Sequence, residues 1–385
     1  MRFLKILGSD FLHESRNERE LEVVRELGYD IYVLGRKTDN NHLFSIPNVV
    51  GIWKSVDPLY PLIKNKALNR AFCLIPWAIE ARKVKADVIS CHDITYLFVG
   101  WLSTLCMRKK PKLVYDSHEF EYERADKRGK LLKGIIKALE CFLMKRCAFS
   151  MMVNDTIADS VQQLHHLESR PVVIRNIPEK CNLNIDEIRT VRKDFLNKRN
   201  LSDDTFICMY HGIVVEGRGI ENSIKAMTEV SDGILIILGN GPLSMLEKLK
   251  EIAIREGVED RVFFHQAVNK DVLFKYVAMA DVGLVLIQGI CKSYYYSLPN
   301  KLFENIQSLT PVIGSNFPEI KKIVCGYEVG EVVEPENISQ IAEAINKMRN
   351  NKSYYQRLKN NLVRAKDELC WENESAVLKK EYLKI

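Results

Sequence analysis

Short apolar runs alternate with amphipathic stretches along most of the chain, the pattern of buried parallel strands separated by covering helices. Residues 3–7 form an apolar run that stops at Gly8-Ser9-Asp10, residues 17–27 have helical spacing up to Gly28, and residues 31–34 predict a second strand ended by Gly35. Further strands are expected at 88–91, leading into His92-Asp93, and at 113–115, leading into Asp116-Ser117-His118-Glu119. Strands at 149–153 and 172–174 flank a helix over 156–165. Arg175-Asn176-Ile177-Pro178 then breaks the rhythm as a boundary, and residues 179–204 are polar and charged.

The pattern restarts with strands at 206–210, 233–238, 261–264 and 282–286, separated by helices at 220–230, 243–256 and 270–279. Strands at 312–314 and 330–333 follow, then helices at 338–349 and 354–367. The prediction is an α/β protein of two Rossmann-like, doubly wound parallel-sheet domains. Their expected boundaries are 1–176 and 177–367, with 368–385 as a terminal helix.

A length of 385 residues suits two domains of this kind. Ten scattered cysteines without a C-x-x-C pair or a His/Cys cluster at zinc spacing read as reduced thiols. The longest uncharged stretch, about 14 residues from 94 to 107, is shorter than the roughly 18 that a membrane span needs. No signal-peptide pattern opens the sequence, so a cytoplasmic location is expected. Charge changes that picture at one place. Residues 127–146 hold seven basic side chains against the single acid Glu140, with Leu131, Leu132, Ile135, Ile136, Leu139, Phe142 and Leu143 at helical spacing. This basic amphipathic helix either packs on the core with a solvated basic face or lies on the anionic inner face of a membrane.

Ligands of open parallel sheets bind beyond the carboxyl ends of the strands, where this chain concentrates its glycines and polar groups. In Lys292–Ser315, KSYYYSLPNKLFENIQSLTPVIGS, Asn300 stands where a helix N-cap belongs. That helix start would turn free N–H groups and a positive dipole end toward an anion, and Glu304 could accept hydrogen bonds from two neighbouring hydroxyls, as on a ribose. In His211-Gly212-Ile213-Val214-Val215-Glu216-Gly217-Arg218-Gly219, the arginine is placed to clamp a diphosphate. No G-x-G-x-x-G follows Leu7 and no Walker motif occurs, which argues against a dinucleotide dehydrogenase or a P-loop ATPase.

Tyr115-Asp116-Ser117-His118-Glu119, Gly217-Arg218-Gly219, Gly239-Asn240-Gly241-Pro242 and Leu298-Pro299-Asn300-Lys301-Leu302-Phe303-Glu304 occur in the order seen in family 4 retaining glycosyltransferases. The chain resembles that family over nearly its whole length. The resemblance implies the GT-B fold, in which two Rossmann-like domains face a central cleft and a last helix, here around Trp371 and residues 376–383, crosses back to the first domain. The implied donor is a nucleoside-diphosphate sugar and the acceptor a glycan or lipid-linked oligosaccharide of bacterial surface polysaccharide synthesis. Neither a metal, nor a cofactor, nor a nucleic-acid partner is expected.

Carried over residue by residue, Gly8 and Gly212 would lie against the donor, Arg218 would neutralise its diphosphate, and Glu304 would hold the ribose. Asn300 and Lys301 would face the phosphates or the sugar, with Gly239, Asn240 and Gly241 lining the same site. His118 and Glu119 would stand by the sugar and the attacking acceptor; the neighbouring acids Asp116 and Glu119 argue against a core position for His118. Two departures from the family stand out. Tyr296 occupies the position of a glutamate that usually touches the sugar, so Tyr295, Tyr296 or backbone near Leu298 would replace it. The loop before Arg218 also lacks the family's second base, which would fall near Gly212 or Ile213. A sugar-nucleotide 2-epimerase of the same fold and a non-catalytic nucleotide-sugar-binding subunit are the alternative readings.

Overall fold

The computed structural model describes residues 1–8, 15–36, 44, 46–54, 66–117, 119–123 and 129–385. The described chain divides into one compact unit made of residues 1–175 with 374–385, and a second made of residues 176–373.

In the first unit the elements run β1 (Arg2–Ile6), α1 (Ser15–Glu26), β2 (Asp30–Arg36), β3 (Val50–Lys54), α2 (Lys66–Val84), β4 (Val88–His92), α3 (Asp93–Ser103), β5 (Lys112–Ser117), α4 (Lys130–Met144), β6 (Phe149–Met152), α5 (Asp155–His165) and β7 (Val172–Val173). The strands form one parallel sheet in the order β3-β2-β1-β4-β5-β6-β7. Because the order reverses at β1, right-handed crossovers place α1 on one face of the sheet and α2 to α5 on the other. Sequence pattern had missed β3 and α2. β3 is short and largely unburied, and α2 carries Pro76 in its interior, which weakens the local helical signal.

The second unit runs α6 (Ile185–Asn197), β8 (Phe206–His211), α7 (Ile220–Ala226), β9 (Gly233–Leu238), α8 (Leu243–Arg255), β10 (Val262–His265), α9 (Lys270–Ala278), β11 (Val282–Val285), α10 (Lys292–Tyr295), α11 (Asn300–Gln307), β12 (Val312–Ser315), α12 (Pro318–Gly326), β13 (Gly330–Val333), α13 (Ile338–Asn350) and α14 (Lys352–Glu368). Its parallel sheet has the order β10-β9-β8-β11-β12-β13, so its switch point lies between β8 and β11. The polar, charged stretch 179–204, where the sequence pattern named no element, holds α6. Asn184 caps that helix through the N–H groups of Asp186 and Glu187, while only Phe195 and Leu196 are fully buried, too few to give a visible helical stripe. The last helix, α15 (Trp371–Tyr382), joins the first unit from Glu374 onward. Its Tyr382 ring packs edge-on against Phe3 at 5.7 Å and Phe149 at 5.3 Å.

The core of the second unit has one feature that positions chemistry. Leu302, Phe303 and Ile306 of α11 are fully buried together with Val285 and Val312, each such side chain contributing about 1.5–3 kcal/mol. With that face fixed inward, Lys301 and Glu304, three residues apart, share another face of the helix.

Candidate active site

At the switch point of the second unit, the loop after β8 and the segment after β11 meet. Gly219 enters α7 at φ +70°, and a Cβ there would stand 2.0 Å from the Leu286 carbonyl oxygen, so only glycine lets the two segments touch. The Gln288 N–H donates to the Gly217 carbonyl at 3.0 Å and completes the seam. Arg218, between these glycines, is half-buried. Its guanidinium carbon lies 5.0 Å from the centre of the Tyr294 ring, and its Nε is buried without a hydrogen-bond partner among the described residues.

A second cation lies close by. The Lys301 ammonium sits 3.8 Å from the centre of the Tyr210 ring and 3.6 Å from where a Cβ on Gly212 would be. Part of Lys301 stays exposed, yet burial of its ammonium, followed by the Arg218 charge, pulls its pKa down to about 7 against the weaker opposite effect of Glu304. Glu304 itself is held by His211, whose Nε2 lies 2.9 Å from Glu304 Oε2.

The helix entry differs from expectation. Asn300 is not the N-cap of α11; Pro299 is, at φ −76° and ψ 144°, with no side-chain cap. Proline fixes the extended entry and holds Leu298 extended before it, so no capping side chain is needed to start the helix. Asn300 is exposed as the first helical residue, and its N–H and that of Lys301 are among those with no partner inside the helix. Leu298 is 7% exposed and its side chain belongs to the core, while Tyr296 is half-buried with its ring 5.5 Å from that of Tyr295.

Gly239, Asn240 and Gly241 stitch loops together. A Cβ on Gly239 would stand 1.8 Å from the Gly212 carbonyl oxygen. The Val214 N–H donates to the Asn240 carbonyl at 2.9 Å, and Asn240 Oδ1 accepts from the Ala267 N–H at 3.0 Å.

In the first unit, Gly8 follows β1 against Tyr96, whose hydroxyl lies 1.7 Å from where a Cβ would be. His118 lies outside the described residues, as do Ser9, Asp10, Lys127 and Arg128. Glu119 is exposed, and its carbonyl accepts from the Ser117 hydroxyl at 2.9 Å. Asp116, contrary to expectation, is a core residue: its carboxylate is fully buried, 2.8 Å from Arg16 Nη2 and 3.3 Å from Lys5 Nζ. Lys5 also meets Glu20 at 2.5 Å, and Glu20 accepts hydrogen bonds from the Ser90 and Tyr382 hydroxyls. Burial pulls the Lys5 pKa down, but Glu20 and Asp116 outweigh it and leave it raised. Asp116 is a core residue because its countercharges come from elements far away in sequence.

Along α4, the acid Glu140 is buried, bonded to Tyr115 and His165. Leu131, Leu132 and Ile135 are 82%, 47% and 56% exposed. The apolar residues of this helix therefore divide, with Leu143 and Met144 buried at its end and Leu131, Leu132, Ile135 and, at 37%, Phe142 outward. No described helix is long and apolar enough to cross a membrane.

Two parallel-sheet Rossmann-like units, the second with a glycine loop and a short polar helix at its switch point, define the GT-B class of glycosyltransferases. The model of glycosyl transferases group 1 matches residues 191–364 and that of Glycosyltransferase Family 4 matches residues 19–177. The chain belongs to this glycosyltransferase family. No curated protein sequence matches it. Among solved structures, sucrose-phosphate synthase from Thermosynechococcus elongatus aligns with a TM-score of 0.77 at 18% identity, covering 100% of this chain and 99% of that one. HepE from Anabaena, solved with UDP-glucose, aligns at 0.76 and 14% identity over 100% of both chains. WaaG, a glycosyltransferase involved in lipopolysaccharide biosynthesis, aligns at 0.65 and 15% identity over 98% of both. At these identities the likeness shows the fold.

Sequence reasoning found Arg218, Lys301 and Glu304 but passed over His211. The available signal was a histidine ending an otherwise apolar strand, Phe206 to Tyr210, directly before a glycine.

Proposed function

We propose that the protein is a retaining glycosyltransferase that moves a hexose-type sugar from a nucleoside-diphosphate sugar to a glycan or lipid-linked acceptor. The observation that carries this reading is the pair of half-buried cations, Arg218 and Lys301, which have no hydrogen bond or ion pair among the described residues and stand beside Glu304 at the switch point. A diphosphate supplies the missing counter-charge, and the N–H groups of Asn300 and Lys301 extend the same anion site. Glu304 takes the ribose hydroxyls. That HepE was solved with UDP-glucose favours uridine as the base.

In the reaction the bond between sugar C1 and the diphosphate oxygen breaks as the acceptor oxygen bonds to C1 on the same face. The acceptor proton passes to the departing phosphate oxygen, with His118 or Glu119 as the alternative base. Arg218 and Lys301 stabilise the negative charge that develops on the leaving group. In this reading Tyr296, or backbone near Leu298, holds the donor sugar in place of the family's usual glutamate.

Binding and chemistry are tested separately. Either UDP or GDP should raise the melting temperature of the wild type but not of Arg218→Ala. With a matching nucleotide sugar and acceptor, the product should keep the donor's anomeric configuration by NMR. An isomerised nucleotide sugar formed without acceptor would instead establish the epimerase.

Acceptor supply through a membrane fits α4, where the outward Leu131, Leu132 and Ile135 are accompanied by Lys133, Lys137, Lys145 and Arg146. An outward apolar patch within so basic a segment suits an anionic lipid surface. Lys133→Glu with Lys137→Glu should release the protein from vesicles containing phosphatidylglycerol. Unchanged co-sedimentation would reject lipid contact through this helix.

A further inference from the structure

His211 closes β8 with its side chain 3% exposed and its Nε2 2.9 Å from Glu304 Oε2. Its Nδ1 is buried with no hydrogen-bond partner among the described residues. The ring therefore makes a single directed bond, to Glu304. An ionised carboxylate can only accept, so Nε2 carries the hydrogen and donates it to Glu304.

That bond matters because of what surrounds it. Lys301 lies one turn before Glu304 on the same helix, and Arg218 and Glu304 both act on the Lys301 charge. A long, half-buried carboxylate beside two cations that have no ion-pair partner among the described residues would ordinarily swing over and pair with one of them. Such a pair would leave the ribose without its acceptor and would neutralise part of the site that receives the diphosphate. The rigid imidazole on the strand end, which cannot follow a rotating side chain, prevents this.

We infer that His211 is a positioning residue, whose Nε2–H holds Glu304 toward the donor ribose and away from Lys301 and Arg218. The inference rests on the reading of Glu304 as the ribose acceptor. It makes His211 responsible for two properties, recognition of the sugar hydroxyls and availability of the cations, without touching the donor itself.

The test compares whichever of UDP and GDP binds the wild type more tightly with its 2′,3′-dideoxy counterpart, by calorimetry. Wild type should prefer the ribonucleotide by roughly tenfold to a hundredfold, the range of a hydrogen bond to a charged group. His211→Phe, which keeps an aromatic ring but has no donor, should reduce that preference to within about twofold. His211→Gln, whose amide nitrogen reaches near the Nε2 position, should restore most of it. If the Phe variant does not fold, His211→Asn, which reaches only toward Nδ1, takes its place. A second readout is the pH dependence of diphosphate affinity between pH 7 and 9. It should flatten in the Phe or Asn variant, because Glu304 pairing with Lys301 would keep that lysine charged. A folded Phe or Asn variant with wild-type preference, or a Gln variant no better than Phe, would overturn the positioning role alone. Absence of any preference in the wild type would sink the ribose reading of Glu304, and this inference with it.

Discussion

In the first unit Lys5, Arg16, Glu20 and Asp116 lie sealed from solvent, each within ion-pair distance of an opposite charge. In the second, Arg218 and Lys301 keep part of their surface and have no carboxylate in bonding contact among the described residues, while Glu304 on the same helix as Lys301 is bonded to His211. Both clusters join a parallel sheet to a helix, the first through β1, β5 and α1, the second through β8, the loop after it and α11. The difference is saturation. A closed set of charges fixes elements to one another, since removing a partner strands a charge in low dielectric. An open set costs the free protein stability and is compensated only when an anion arrives. Charge alone does not mark a site; charge without a partner does.

The comparison breaks most readily at Asp116. Asp116→Ala leaves Arg16 and Lys5 buried without it and should cost about 3–5 kcal/mol, lowering the melting of the first unit by roughly 10 °C. A shift within error would mean that the sealed cluster holds nothing together. Arg218→Ala should do the reverse, leaving melting of the free protein nearly unchanged while reducing transfer about 10²–10³-fold. A large stability loss with near-normal transfer would place Arg218 among the structural charges. The smallest effect, and the sharpest, concerns Lys301. Its pKa of about 7 rises when a diphosphate binds. The ammonium is already charged below pH 7, but must take up a proton above it, so diphosphate affinity should fall by up to about tenfold per pH unit between pH 7 and 9. The ligand-free fold behaves oppositely: its lysine pKa lies below that of the unfolded chain, so stability from this group is gained as pH rises through that window. Lys301→Met should therefore remove the pH dependence of binding and raise the melting point at pH 7. A variant that keeps the wild-type binding profile would show that another group takes up the proton.

Much of the architecture was legible because period and punctuation are local. Buried strands such as Gly233–Leu238 and their glycine stops are written into consecutive residues. Elements whose burial is shared thinly, such as α6 with two buried anchors, left no such trace. At the site, residue type identified Arg218, Lys301 and Glu304, but not their partners. Asp116 looked out of place in a core because its countercharge Arg16 comes from 100 positions away. His211 was passed over because its purpose depends on Glu304, 93 positions away. The choice of Asn300 as helix cap failed for a local reason: a proline directly before it sets the entry angle by itself.

The Tyr382 hydroxyl donates to Glu20, and Arg175 is held by Glu374 at 2.5 Å. Those bonds set an order of events during synthesis. The first unit begins to emerge from the ribosome before the second, yet part of its core is supplied by residues 374–385, so it cannot be completed while the second is being made. The second unit, continuous in sequence, can finish folding first, and the earliest part of the chain to be translated is then among the last to reach its final state.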